Sequence, residues 1–235
     1  MAGRREKMKI LFLGTGADDW VQYTGEKSGE YRGFSSILID DVLLIDPGPS
    51  VLEAAERFSC DLSKVKYILN THNHRDHFNQ ENVDYLTNLG AEFIPFADGD
   101  IKQVGNYTIE AVEANHNAIV DTVHFLIDDG ESRIFYGLDG AWLLKKEVEA
   151  IRRQHVDLAI LDGTIGDVPG DFRVFVHNNL HMVEEMKCAL EPFVDRFVIT
   201  HMAYTLHTDH QTLVERLRPS GIEAAYDGWV LELKE

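Results

Sequence analysis

Apolar residues along this chain fall into short runs of strand length, and the runs arrive in two similar batches. Lys9 to Leu13, Ser35 to Ile39 and Val42 to Ile45 form the first, with Asp40-Asp41 placed to close a tight hairpin between the last two. Helical spacing follows over 51–58 and 80–89, on either side of a further strand, Tyr67-Ile68-Leu69. The second batch opens with Tyr107 to Val112, which alternates in polarity, and continues with Thr122 to Ile127 and Arg133 to Tyr136 around an Asp129-Gly130 turn. Helical spacing returns at Leu144, Val148 and Ile151, then at Leu180, Val183, Met186 and Leu190, and Thr208-x-x-Gln211 has the pattern of a capping box opening a last helix. Strands at Leu158 to Leu161, Phe197 to Thr200 and Trp229 to Leu233 complete the pattern. Strands first and helices after, twice over, predict an α+β fold of two mainly antiparallel or mixed sheets packed together with helices outside, and not a doubly wound parallel sheet. With no repeat, low-complexity stretch or Pro/Ser-rich linker, residues 1–235 read as one domain.

Composition narrows the function classes. The chain has 235 residues, 44% hydrophobic and 26% charged, enough for a sizeable core. Its 22 Lys and Arg stand against 40 Asp and Glu, a formal net charge of −18 that repels nucleic-acid backbones and anionic membrane surfaces. No nucleic-acid or membrane partner is therefore expected, and a homodimer is compatible with the sequence. The stretch from Met1 to Lys7 lacks the apolar segment of a signal peptide, so a cytoplasmic location is expected. Cys60 and Cys188 are too few and too isolated for a disulfide framework or a cysteine zinc site. Eleven histidines are the informative excess.

Their most specific grouping is Thr71-His72-Asn73-His74-Arg75-Asp76-His77, directly after the strand at 67–69. In extended chain, residues i and i+2 project to the same side, so His72 and His74 can grip one cation while Asp76 and His77 turn toward a second. Imidazoles with a carboxylate suit zinc, with manganese and iron as alternatives.

The motif resembles that of the metallo-β-lactamase-fold hydrolases, and the resemblance runs from Leu13-Gly14-Thr15-Gly16 and Leu44-Ile45-Asp46-Pro47-Gly48 to Ala225-Tyr226-Asp227-Gly228. It implies an αββα sandwich with two divalent metal ions at one edge of the sheets. By position it also implies His116 as the third histidine of the first metal, Asp139 as the bridging carboxylate and His201 as the last ligand of the second. Asp162 and His177 resemble the acidic residue and catalytic histidine of the phosphodiesterase branch, which includes RNase Z and the phosphoribosyl cyclic phosphodiesterase of the carbon-phosphorus lyase pathway. The branch with a cysteine ligand does not fit, since neither cysteine falls at a motif position. Nor do residues 17–31 hold the cysteines of the extra structural zinc that the cyclic phosphodiesterase pattern often carries.

A dinuclear phosphodiesterase acting on a small anionic phosphodiester, cyclic or nucleotide-like, through a hydroxide shared by the metals is the leading expectation. A tRNA 3′-processing endonuclease is opposed by the acidic charge and by the short interval between His116 and Asp139, which has no room for an inserted RNA-binding arm. Ester or thioester hydrolysis and a noncatalytic metal-containing binding domain are further alternatives. Asp46 reads either as a support for a ligand histidine or as a turn residue. His207 and His210 read either as residues of the pocket mouth or as an exposed helix start, and Arg32 and Arg75 either as phosphate partners or as solvated surface cations. Tyr204 stands where many relatives have a histidine.

Overall fold

A computed structural model describes residues 8–20, 30–117 and 121–233. In its first sheet the order is β13-β1-β2-β3-β4-β5, built from β1 (Lys9–Gly14), β2 (Ser36–Ile39), β3 (Leu43–Ile45), β4 (Tyr67–Leu69), β5 (Glu92–Phe93) and β13 (Val230–Glu232). The second runs β12-β11-β10-β9-β8-β7-β6, from β6 (Ile101–Val104), β7 (Tyr107–Glu113), β8 (Val123–Asp128), β9 (Arg133–Gly137), β10 (Val156–Asp162), β11 (Val194–Thr200) and β12 (Ile222–Ala224). Among the described residues, five α-helices cover them: α1 (Val51–Arg57), α2 (Gln80–Asn88), α3 (Lys145–Arg153), α4 (Leu180–Leu190) and α5 (His210–Leu217).

The layering follows from which residues of each strand face which way. Ile10, Phe12, Ile37, Ile39 and Ile45 of the first sheet meet Ile109, Phe125, Ile127, Ile134 and Ile160 of the second in one buried core. The intervening Leu11, Leu13, Leu38, Leu44 and Ile68 pack outward against Val51, Ala54 and Leu86 of α1 and α2. On the other side Leu126, Phe135, Ala159, Leu161 and Phe197 pack against Ile151, Val183, Met186 and Leu217 of α3, α4 and α5. Central strands are thus apolar on both faces, which is why they appear in sequence as unbroken apolar runs. The result is an αββα sandwich.

Both sheets are mixed. Pairings β1–β13, β1–β2 and β2–β3 are antiparallel and β3–β4–β5 parallel, while β6 to β9 pair antiparallel and β9 to β12 parallel. The parallel half arises because α3, α4 and α5 each lie between consecutive strands and carry the chain back before the next one. The Asp40-Asp41 hairpin forms as expected, with both residues at positive φ (52° and 62°) and Val42 N donating to Ile39 O at 3.0 Å. Three strands escape the apolar pattern, β5, β6 and β12, and all three lie at sheet edges, where strands are short and half solvated. The last helix is capped one residue later than Thr208: the Asp209 side chain accepts from Thr212 N at 3.0 Å.

Among the described residues, no helix is long and apolar enough to cross a membrane. One very close backbone approach lies beneath the 71–77 loop. A Cβ on Gly48 would stand 2.0 Å from the backbone oxygen of Asp76, so only glycine lets the turn after β3 pass under that loop. Gly48→Ala is expected to lower unfolding stability by about 1–3 kcal/mol, the usual cost of forcing extra volume into packed structure, measured by urea unfolding in chelator. An unchanged midpoint would show that the loop gives way freely.

Candidate metal centre

The seven expected metal ligands, with Asp46 and Asp162, lie at or just past the ends of strands that run toward the same edge of the sandwich, while His177 lies in the loop before α4. Asp46 follows β3, residues 71–77 follow β4, His116 follows β7, Asp139 follows β9, Asp162 ends β10 and His201 follows β11. Where a strand ends, its backbone leaves the ladder and its side chains are free to converge at the rim.

Seven of them form two groups, and Asp139 and His201 also lie close to Asp162 and His177. His72, His74, His116 and Asp139 form one, and Asp76, His77, Asp139 and His201 the other, with Asp139 common to both. In the first, His72 Nε2 lies 2.9 Å and His116 Nε2 3.2 Å from His74 Nδ1, and these two Nε2 atoms lie 3.7 and 3.9 Å from Asp139 Oδ2. In the second, His77 Nε2 and His201 Nε2 are 3.2 Å apart, each is 3.3 Å from Asp139 Oδ1, and Asp76 Oδ2 is 3.4 and 3.3 Å from them. A tetrahedral ion with bonds of about 2.0–2.1 Å spaces its donors about 3.3–3.4 Å apart. The second group meets that spacing on four of these five edges and falls about 0.1 Å short on the His77–His201 edge, and the first brackets it.

Two further observations fit a cation there. Asp139 Oδ1 is buried and has no hydrogen-bond partner, an expense that native structures seldom leave uncompensated. Each of four imidazoles in these groups also has its other nitrogen occupied, which turns the remaining nitrogen inward: His72 Nδ1 donates to Thr71 Oγ1 (2.9 Å), His116 Nδ1 to Val176 O (2.9 Å), His77 Nδ1 to Asp46 Oδ2 (3.0 Å) and His201 Nδ1 to Thr164 Oγ1 (2.7 Å).

Asp46 organises the 71–77 loop. Fully buried, it accepts from Thr71 N at 2.8 Å and Thr71 Oγ1 at 2.9 Å through one oxygen, and from His77 Nδ1 and Tyr136 Oη (3.1 Å) through the other. It therefore supports His77 directly and His72 through the Thr71 hydroxyl. Burial and the Asp46 carboxylate keep the Tyr136 phenol far above its ordinary pKa, so it remains a donor.

Charge divides the two groups. Burial, then the facing His77, drives His72 down to about 2, and burial lowers His116, so both imidazoles are neutral and ready to ligate. Burial also opposes charge on His77, but Asp139, Asp76 and Asp46 surround it and hold its proton well above the ordinary histidine range. Asp76 and Asp139, which burial alone would raise, are held low by His77 and His201. The second group is a pocket that demands positive charge.

His177 and Asp162 stand beside it. His177 Nδ1 donates to Asp162 Oδ2 at 2.6 Å, and its ring stacks on His201 with centroids 5.4 Å apart and planes 20° apart. Burial pulls its imidazolium down, but Asp162 outweighs burial and pushes it up to about 9. His177 is not a helix cap: Asn179 caps α4 by accepting from Met182 N at 2.9 Å. A cavity of about 460 Å³ opens over the site, lined by His74, Asp76, His116, Asp139, His177 and His201, with Asp18, Asp19, Arg75 and Arg173 also at its wall.

Some expectations do not hold. Arg32 is buried away from this cavity, donating to Thr15 Oγ1 (2.6 Å) and Ala225 O (2.9 Å). His210 contacts Arg32, and His207 is buried with Nε2 on Gly163 O at 2.6 Å, so neither histidine bounds the cavity. Arg75 does, with Nε and Nη2 each donating to Asp18 at 2.6 Å. Tyr204 packs edge-on against Trp20. Sequence reasoning missed Thr71, Tyr136 and Thr164 as supports and Arg173 as a cavity residue; the hydroxyl beside each motif histidine or carboxylate was the available signal for the two threonines.

Residues 33–79 match the family model of the metallo-beta-lactamase superfamily. Among curated proteins, none matches the chain in sequence. Solved structures with the same architecture include the metallo-beta-lactamase fold protein YhfI from Bacillus subtilis, at 15% identity and TM-score 0.74 over 97% of this chain and 100% of that one. A diphosphatase of the PhnP family aligns at 19% identity and TM-score 0.74, covering 97% and 98%, and the short form of human tRNase Z at 16% and 0.69, covering 97% and 100%. The chain is thus a metallo-β-lactamase-fold protein.

A proton on His77 has to leave before that imidazole can ligate, whereas His72 and His116 are already neutral. Zinc titrated into metal-free protein near pH 7.5 is therefore expected to displace the His77 proton as the second group fills, in addition to any proton lost by metal-bound water, read by calorimetry in buffers of different ionisation enthalpy. Stepwise acidification should empty the second group at the higher pH, read by metal analysis after dialysis. Loss of both ions in one step, with no buffer dependence of the heat, would contradict this assignment.

Proposed function

We propose that this protein is a metal-dependent phosphodiesterase that holds two divalent ions, zinc foremost, and hydrolyses a small phosphodiester. The first ion would be held by His72, His74, His116 and Asp139, the second by Asp76, His77, Asp139 and His201. Bound there, the ions supply Lewis-acid stabilisation and an activated water at neutral pH. The observation that carries the reading beyond metal binding is the His177–Asp162 pair at the cavity, 2.6 Å apart beside the second group.

Hydrolysis of an alkyl phosphodiester needs a proton at the leaving oxygen. The metal ligands have none to give, because their inward atoms are committed to cations. His177 has Nδ1 fixed on Asp162, so Nε2 is the nitrogen it presents to the cavity, and the Asp162 carboxylate favours its protonated form. Asp162 is itself locked by Thr164 N (2.8 Å) and Gly140 N (3.2 Å), which keeps the imidazole from turning away. Arg75 and Arg173 bring guanidinium groups to an otherwise acidic rim, where a phosphate oxygen can meet them. The volume suits a ligand of nucleotide size. A small ester, and not a folded RNA, also accords with the net charge of −18. The fold neighbours include a PhnP-family diphosphatase and a tRNase Z, both names that speak of phosphorus chemistry.

His177→Ala is expected to retain wild-type metal content and to lose roughly 10²–10⁴-fold in kcat on a cyclic or alkyl phosphodiester. The loss should shrink on bis-p-nitrophenyl phosphate, whose leaving group scarcely needs a proton. Equal losses on both substrates, or loss of metal, would remove His177 from the acid role. Faster turnover of thioesters or lactones than of any phosphodiester by the metal-loaded protein would overturn the reading itself.

A further inference from the structure

Behind Asp139, on the side away from the cavity, a second histidine and a glutamate are sealed inside the protein. His124, on β8, is 1% exposed, and Glu147, in the first turn of α3, is 0% exposed. His124 Nδ1 donates to Glu147 Oε1 at 2.5 Å, and His124 Nε2 donates to the backbone oxygen of Asp139 at 3.1 Å. Both atoms facing the ring are acceptors, so both ring nitrogens carry hydrogen. The other Glu147 oxygen accepts from Leu144 N at 2.6 Å, which pins the carboxylate to the start of α3. Phe135 meets the His124 ring edge to face at 5.6 Å and fixes its plane.

The next peptide group completes the arrangement. Gly140 N, the other end of the peptide that begins with the Asp139 carbonyl, donates to Asp162 Oδ2 at 3.2 Å. A Cβ on Gly140 would stand 2.9 Å from His124 Cε1, so the ring packs directly against this peptide. One peptide plane is thus held at its C=O by His124 and at its N–H by Asp162. The side chain that both metal groups share hangs from the near end of that plane.

We propose that His124 and Glu147 are positioning residues for the Asp139 carboxylate: they fix the Asp139–Gly140 peptide so that the two carboxylate oxygens face the two histidine groups. This rests on the metal-binding reading but not on the phosphodiester. A partner behind a ligand is commonly worth about 10–100-fold in metal affinity. Such a pair tucked under a helix also explains why an ionisable couple persists among apolar neighbours, where burial opposes it.

Cobalt(II) binding to the full-length protein tests the proposal, with dissociation constants and the visible absorption spectrum as readouts. His124→Phe should weaken binding about 10–100-fold and alter the spectrum of the ion that remains, because Asp139 is free to turn. Glu147→Gln should stay within about threefold of wild type. Its amide can donate to a neutral His124 Nδ1 and still accept from Leu144 N, leaving the ring hydrogen on the Asp139 carbonyl. A His124→Phe protein that is merely less stable, with wild-type affinity and spectrum, would overturn the proposal. If that variant does not fold, the unaltered protein answers: on adding zinc the His124 ring N–H resonances should shift, while the carbon-bound ring protons of the exposed His155 should not, and unchanged His124 resonances would also overturn it. Failure of the wild-type protein to bind cobalt would instead refute the metal reading.

Discussion

One carboxylate faces two sets of imidazoles, and the edge of the sandwich is arranged around that fact. Asp139 presents Oδ2 to His72 and His116 and Oδ1 to His77 and His201, all within 3.9 Å. Buried ring nitrogens and carboxylates at such distances satisfy one another poorly by hydrogen bonds, and an oxygen without any partner sits at their centre. Holding them there requires support from outside the cluster. Asp46 grips the 71–77 loop through Thr71 and His77, Thr164 holds His201, and the Val176 carbonyl holds His116.

The fold makes this support available because the parallel half of the second sheet delivers β9, β10 and β11 to the same rim, one after another. Asp139, Asp162 and His201 then lie side by side although they are far apart in sequence. Asp162 links the layers of the site: its carboxylate holds His177 on the cavity side and Gly140 N behind Asp139. His177 and the Asp139–Gly140 peptide are therefore referenced to one buried group.

How much of this could be read from the sequence depends on how local each feature is. The 71–77 loop was legible because four donors fall within six residues after a strand, and extended geometry alone pairs His72 with His74. His116, Asp139, Asp162, His177 and His201 were reached only through the order in which the resemblance places them, since a single histidine in a loop carries no spacing. The central strands were legible from their apolar runs, while β5, β6 and β12 were not, being short and partly wet. Arg32, His207 and His210 were offered to the pocket by their nearness in sequence to motif residues, but their side chains turn into neighbouring loops. The His124–Glu147 pair left one faint sign, a histidine inside the apolar run Val123-His124-Phe125, and its partner lies a full strand and turn later.

Anomalous diffraction at the zinc edge, from crystals grown with zinc, addresses the shared carboxylate most directly. The account predicts two peaks about 3.5–4 Å apart, one within bonding distance of His72, His74 and His116, the other of Asp76, His77 and His201, with one oxygen of Asp139 on each. A single peak, or zinc only on surface carboxylates while the histidine nitrogens keep their mutual contacts, would contradict it.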